Sequence, residues 1–235
     1  MKVVAAVPVS ASTLTSDGFR TFLPKGNNLA HQGHINLYRK WAEGNIGILL
    51  TGNVMVDRKN MEGPANVVID SQNYKDHIDE LKNWSSAGTE DNTQLWMQIS
   101  HAGRQTPGEI NASPSAPSDV QLKIPGRSYG LPIPMSEEEI LSVIDKFVFT
   151  AKIARETGFT GVQFHSAHGY LLSEFLSPDF VVITITPLPP FTPYIEAKAA
   201  SFKTFTDLTS FGFKEFRSSI DADIPSIITS GSFPA

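Results

Sequence analysis

The chain has 235 residues, 40% of them hydrophobic and 18% charged, with 17 glycines and 16 prolines, which places it inside the globular range and outside the disordered one. It has no cysteine, which excludes thiolate nucleophiles, CxxC redox chemistry, iron–sulfur clusters and cysteine zinc sites together and fits a reducing, cytoplasmic compartment. The formal net charge is −5 and no basic cluster is denser than Arg58-Lys59, so nucleic acid is not the expected partner, and no window approaches the ~20 continuous apolar residues of a membrane span.

Strand-like and helix-like runs alternate, the order of an α/β protein with a parallel sheet. Met1-Lys2 followed by VVAAVPV could pass for a clipped signal peptide, but the run is barely seven residues and holds Pro8, so residues 3–9 are read as a first strand. The spacing predicts a helix over 34–44, with Leu37, Tyr38 and Trp41 on one face and Gly44 as its stop. Ile46 to Leu50 reads as a buried strand, followed by a βα turn at Thr51-Gly52-Asn53-Val54. A second helix over 73–87 repeats Tyr74, His77/Ile78, Leu81 and Trp84.

Gln94 to Ile99 alternates cleanly, so Leu95, Met97 and Ile99 point one way and Gln94, Trp96 and Gln98 the other. In a parallel barrel one face of each strand packs on the outer helices, so Gln98 at the carboxyl end should look into a site. The proline- and serine-rich segment 106–135 reads as a lid. Ser136 and Glu139 form a capping box for a helix over 137–157, with a stripe of Ile140, Val143/Ile144, Phe147, Ala151 and Ala154 and a stop at Gly158. Thr160 to His165 is the next strand and delivers His165 to the sheet edge. The rhythm dissolves between Asp179 and Phe205, then returns as a helix near 207–220 and a strand at 226–228.

Three constellations carry chemistry. HSAHGY at 165–170 places two imidazoles three residues apart after a strand, able to donate to one oxygen, with Tyr170 as a nearby acid. The alternative is that these histidines cap loops or bind a surface metal; a metal is disfavoured because no carboxylate stands at ligand spacing. QISHAGRQ at 98–105 sets Gln98, His101 and Arg104 beside a glycine turn, an amide suited to a heterocycle edge and a guanidinium suited to an anion or another subunit. Gly52 lets backbone approach a flat ligand. His31 and His34 read as a solvated loop before a helix.

Together YRKWAEGNIGILLTGNVMVDRKN (38–60), LWMQISHAGRQTP (95–107) and GFTGVQFHSAHGYLLSEFLSP (158–178) resemble the Old Yellow Enzyme family of FMN-dependent ene-reductases, in its NADH:flavin oxidoreductase branch, continuously over about residues 35–178. AAVPVS at 5–10 resembles the family's flavin-contacting first strand. The resemblance implies a TIM-barrel-like (β/α)8 fold with FMN at the carboxyl face of the strands. It makes Gln98 the partner of the flavin pyrimidine edge and Gly52 a neighbour of the ring. It makes His165 and His168 the holders of an enone carbonyl, His165 lying against the flavin as well, and Tyr170 the acid that protonates the α-carbon. NADH or NADPH is the implied reductant. A homo-oligomer is compatible with the resemblance.

The chain departs from the family after Ser177-Pro178. Residues 179–205 match nothing in it, while 206–235 resemble a remnant of its phosphate-loop region, with Gly231 and Ser232 in the phosphate turn and Pro234 where an arginine is usual. The expectation is therefore one barrel-like domain over 1–235, incomplete, lacking the amino-terminal hairpin and the last βα unit. Its open sheet edges would have to be covered by the atypical segment or by a partner chain. Two other readings stay open from the residues: a flavin-free isomerase or cyclase using the histidine pair and Tyr170, and a non-catalytic truncated remnant.

Overall fold

The computed structural model describes residues 28–177 and the backbone of a strand at 226–229. The expected first strand at 3–9, the segment 179–205, the helix near 207–220 and the turn holding Gly231 and Ser232 lie outside the described residues.

Helix α1 (Gln32–Ala42) leads into strand β1 (Ile48–Met55), a two-residue strand β2 (Val67–Val68) and helix α2 (Ile78–Gly88). Then come β3 (Gln94–Ser100), two two-residue strands β4 (Ser115–Ala116) and β5 (Ile133–Pro134), the long helix α3 (Glu137–Glu156), β6 (Gly161–His165), a short helix α4 (Leu171–Leu176) and β7 (Ser226–Thr229). The main sheet runs β2-β1-β3-β6-β7 and every pairing in it is parallel, as the alternating order of elements predicts. The second helix is shorter than expected. Residues Tyr74–His77 form a 3-10 turn and the chain kinks at His77 (φ −135°, ψ 20°) before the α-helix begins.

One face of the sheet is apolar and carries the helices. Leu49, Val54, Leu95, Met97, Ile99, Val162 and Phe164 are buried there against Tyr38, Trp84, Phe147, Ala151 and Ala154. Trp84 is the hub of this layer. Its ring meets those of Tyr38 at 5.3 Å, His34 at 4.8 Å and Phe159 at 5.6 Å, at tilted or edge-on angles suited to aromatic quadrupoles. Helix α3 begins as the capping box predicts, with Ser136 Oγ accepting the Glu139 N–H at 3.2 Å and Glu139 Oε2 accepting the Ser136 N–H at 2.8 Å.

The pair His31/His34 is not a solvated loop. His31 caps α1, its Nδ1 accepting the Gly33 N–H at 3.0 Å, and His34 Nδ1 reaches back to the His31 N–H at 3.2 Å. An imidazole nitrogen thus replaces the usual hydroxyl and carboxylate of a capping box. His34 is buried on Trp84, and burial followed by the neighbouring His31 pushes its pKa down to about 3.

Strand β1 is longer than the sequence pattern suggests, because Thr51-Gly52 is not a turn but a bulge inside it. Leu50 pairs with Trp96 and Asn53 with Gln98, so two residues of β1 stand opposite Met97 alone. Gly52 has φ 70°, a left-handed conformation open to glycine at no steric cost. The extra residue resets the alternation: Val54 rather than Asn53 faces the helices, and Asn53 joins Gln98 and Gln163 on the opposite face.

Candidate active site

On the face away from the helices, Asn53, Gln98 and Gln163 form a transverse polar row across β1, β3 and β6. All three are buried. Gln98 Nε2 donates to Gln163 Oε1 at 2.6 Å, and the Gln98 N–H donates to Thr51 Oγ1 at 2.9 Å, so the bulge also pins Gln98. Toward the amino ends of the strands the same face is closed by Trp96, which lies over Gly161 so closely that a Cβ there would fall 2.7 Å from the indole.

His165 ends β6 two residues beyond Gln163 and is 5% exposed, with its Nδ1 buried and without a hydrogen-bond partner among the described residues. Burial, followed by the neighbouring His168 and opposed by Glu62, lowers its pKa to about 4, so the ring is neutral near pH 7. His168 stands in a left-handed backbone conformation (φ 60°) with its ring 5.1 Å from that of His165, edge to face. The Tyr170 ring is 4.8 Å from that of His165 and packs on an apolar cluster of Met55, Met61, Val68 and Ala102. The three residues of HSAHGY singled out by spacing are therefore one group at the carboxyl end of the sheet.

The QISHAGRQ segment divides its duties. Gln98 belongs to the polar row, but His101 is fully buried, its Nδ1 accepting the Gly103 N–H at 3.1 Å. Arg104 does not stand free for an anion: its backbone N–H donates to Glu174 Oε1 at 3.0 Å and its guanidinium reaches the Val120 carbonyl. Gln105 Nε2 donates to the His168 carbonyl and so ties this turn to the HSAHGY turn. The segment 106–135 is anchored beside the site, with Asn60 Oδ1 accepting the Ser115 N–H at 3.0 Å and Met135 closing the β4–β5 pair through Ala116.

Sequence spacing missed Asn53, Gln163 and Glu62. Glu62, on the connection from β1 to β2, accepts from the Tyr170 hydroxyl and from Asn53 Nδ2. Burial, then the Glu62 carboxylate, drives the Tyr170 phenol pKa upward, so Tyr170 keeps its proton at neutral pH.

Residues 21–181 match the model of the NADH:flavin oxidoreductase / NADH oxidase family. The chain belongs to that family. Among its relatives, an NADH-dependent flavin oxidoreductase (nadA) of Aspergillus parasiticus is 35% identical over 158 residues, covering 66% of this chain and 36% of the relative. An NADH oxidase of Thermoanaerobacter brockii is 34% identical over 164 residues, covering 66% of this chain and 24% of the relative. The chain thus spans well under half the length of these relatives. Of solved structures, an old yellow enzyme homologue from Zymomonas mobilis superposes with a TM-score of 0.70 at 16% identity, over 97% of this chain and 59% of that one. A 2-naphthoyl-CoA reductase gives 0.71 at 20% identity, over 96% and 32%. The fold is accordingly part of a (β/α) barrel, and the polar row lies on its inner face.

The family implies a flavin, and the described residues fit its ring. The buried Asn53 Oδ1 and His165 Nδ1 find no hydrogen-bond partner among the described residues, and a heterocycle edge with N–H and C=O groups would supply the missing complement. Beside them Gly52, in the bulge, contributes backbone with no side chain of its own. Among the described residues no cluster of three or more His, Asp or Glu could hold a metal, and no helix is long and apolar enough to cross a membrane.

Proposed function

We propose that this chain carries the ring- and substrate-binding part of an FMN-dependent oxidoreductase that reduces the C=C bond of an α,β-unsaturated carbonyl compound, with NADH or NADPH as reductant. The observation that carries this reading is the grouping of His165, His168 and Tyr170 around one strand end, with ring separations of 5.1 and 4.8 Å from His165. A bound FMN would supply hydride transfer between the nicotinamide and the substrate β-carbon.

Gln98, oriented by Gln163, would meet the pyrimidine edge, Gly52 and His165 would lie against the ring system, and Gly231 and Ser232 would take the phosphate. The imidazoles of His165 and His168 hold the substrate carbonyl oxygen and polarise it. Because His165 is neutral, it serves as a hydrogen-bond donor rather than a fixed cation, strengthening its hold as negative charge develops on the oxygen. Tyr170, protonated at neutral pH, gives its proton to the α-carbon. On this reading residues 1–178 are the family-like part of one barrel domain, 179–205 an atypical segment and 206–235 the phosphate-loop region.

Titration of the full chain with FMN, followed by the flavin absorption band and by fluorescence quenching, tests the proposal. Saturable binding that weakens at least tenfold in Gln98→Ala is the expected result, and a chain that takes up no FMN overturns it.

A further inference from the structure

The segment 106–135 places a cation beside the site. Ile124-Pro125-Gly126-Arg127 is a tight turn, the Arg127 N–H donating to the Ile124 carbonyl at 3.1 Å and Gly126 taking φ 78°. Proline followed by a glycine of positive φ is the sequence of a type II turn, so local chemistry fixes where Arg127 leaves the chain. Two residues on, Tyr129 is 9% exposed and forms a bridge with Pro107. The Gly108 N–H donates to the Ser128 carbonyl at 3.1 Å, the Gly130 N–H to the Thr106 carbonyl at 3.3 Å and Gln121 Nε2 to the Tyr129 carbonyl at 3.0 Å. Residues 128–130 are therefore anchored to 106–108, next to Gln105, whose side chain reaches the His168 carbonyl.

This stretch of chain lines an open hollow of about 420 Å³. Leu122, Ile124 and Pro125 give it apolar wall, and Lys123, Arg127 and Tyr129 give it polar wall. Arg127 Nη1 donates to the Tyr129 hydroxyl at 3.4 Å. Arg127 and Lys123 are exposed, and neither is in an ion pair with a carboxylate among the described residues. The groups that act on the charge of Arg127 are two phenols, Tyr129 and Tyr170, and no carboxylate is among them. The guanidinium thus stands within electrostatic reach of Tyr170. A guanidinium carries its donors in a planar fork that matches a carboxylate, and here a phenol engages one of them.

Resting on the reading of Tyr170 as the proton donor of an enone reductase, we infer that this hollow is a second anchor for the substrate, and that the substrate is an α,β-unsaturated ketone with an aliphatic arm ending in a carboxylate. The carboxylate pairs with the Arg127 fork. The Tyr129 hydroxyl, while accepting from Arg127, has its own proton to give to a carboxylate oxygen, and Lys123 adds a second positive charge to the wall. The arm lies on Leu122, Ile124 and Pro125, and this hydrocarbon surface suits an aliphatic chain better than the pyrophosphate of a nicotinamide cofactor. A contact made alike before and during the reaction lowers KM, so Arg127 selects which enone is held and Tyr170 protonates it.

The test uses the full 235-residue chain and a matched pair of probes, 4-(3-oxocyclohex-1-enyl)butanoate and its methyl ester, which differ in charge and hardly in reach. In the first arm each probe is titrated by calorimetry into the chain with excess FMN and no reductant. The acid should bind at least tenfold more tightly than the ester. Arg127→Gln should abolish the difference, and Arg127→Lys, which keeps the charge but loses the fork, should keep part of it. In the second arm, with NADH as reductant, the ratio of ester KM to acid KM should be at least ten in the wild type and near one in Arg127→Gln. It should also shrink between about 0.05 and 0.5 M KCl, because the charges are exposed. Equal binding of acid and ester, binding of neither, or a preference that survives Arg127→Gln overturns the inference. A raised KM for NADH in Arg127→Gln with the acid preference intact would give the hollow to the nicotinamide phosphates and overturn it as well. Absence of reduction of either probe by the wild type would overturn the enone-reductase reading and the substrate role with it, while the calorimetric arm decides by itself whether Arg127 selects a carboxylate.

Discussion

Gly103 and Glu174 are packed so closely that a Cβ on residue 103 would lie 2.6 Å from Glu174 Oε2 and closer still to Oε1. Gly103 also has φ 57°, so an L side chain there suffers twice, from its own backbone and from a carboxyl group that is fully buried. Gly103→Ala should cost about 2–4 kcal/mol, read from urea unfolding curves. A loss below about 0.5 kcal/mol would show that the turn relaxes freely.

Burial, opposed by the Arg104 N–H and the Arg104 charge, raises the Glu174 pKa to about 8. The folded protein therefore holds a proton on Glu174 that the unfolded chain releases near its ordinary carboxylate pKa. The stabilisation is complete below that ordinary value, and stability falls as pH rises from there toward about 8. Glu174→Gln should flatten this slope, measured as urea midpoints between pH 5 and pH 8; an unchanged slope would contradict it.

Asp57, buried in the connection after β1, accepts from Lys146 Nζ at 2.6 Å and from the Lys59 N–H at 2.8 Å. Burial pushes the Asp57 pKa up, but these two hydrogen bonds, with the charges of His101 and Lys146, hold it below the usual carboxylate range. Lys146→Met leaves the carboxylate buried without its cation and should cost about 1–3 kcal/mol at pH 7, less than a fully buried pair because Lys146 is 40% exposed. Because the shift is downward, the loss should shrink as pH falls through the Asp57 pKa, and a deficit that persists in acid would point to lost packing instead.

Gly52→Val tests the bulge. A β-branched residue with positive φ is a steric outlier, and the local register of Asn53 and Gln98 depends on that residue. The variant should lose about 1–3 kcal/mol of stability and bind FMN at least tenfold more weakly. A loss of stability with wild-type FMN affinity would separate the bulge from the site.

Tyr170→Phe removes one hydroxyl from a ring that otherwise packs on Met55 and Met61. Enone reduction should slow by about 10²-fold or more, while FMN affinity and the rate of flavin reduction by NADH stay within threefold. An equal fall in both half-reactions, measured by stopped-flow absorbance, would assign Tyr170 to the framework rather than to proton transfer.

Local pattern alone determined much of this protein. The β3 alternation that turns Gln98 inward, the Ser136–Glu139 capping box, the α3 stripe and the closeness of His165, His168 and Tyr170 all depend on residues within a few positions of one another, where periodicity and spacing suffice. Chain folding over long separations decided the rest. The bulge at Thr51-Gly52 shows itself only against β3, yet it turns Asn53 inward and replaces an expected turn with continuous strand. His31 and His34 became a cap and a buried ring because α1 docks on Trp84, some fifty residues away. Glu62 reached Tyr170 across 108 residues, a contact that no local pattern encodes, since parallel strands bring distant loops together at their carboxyl ends.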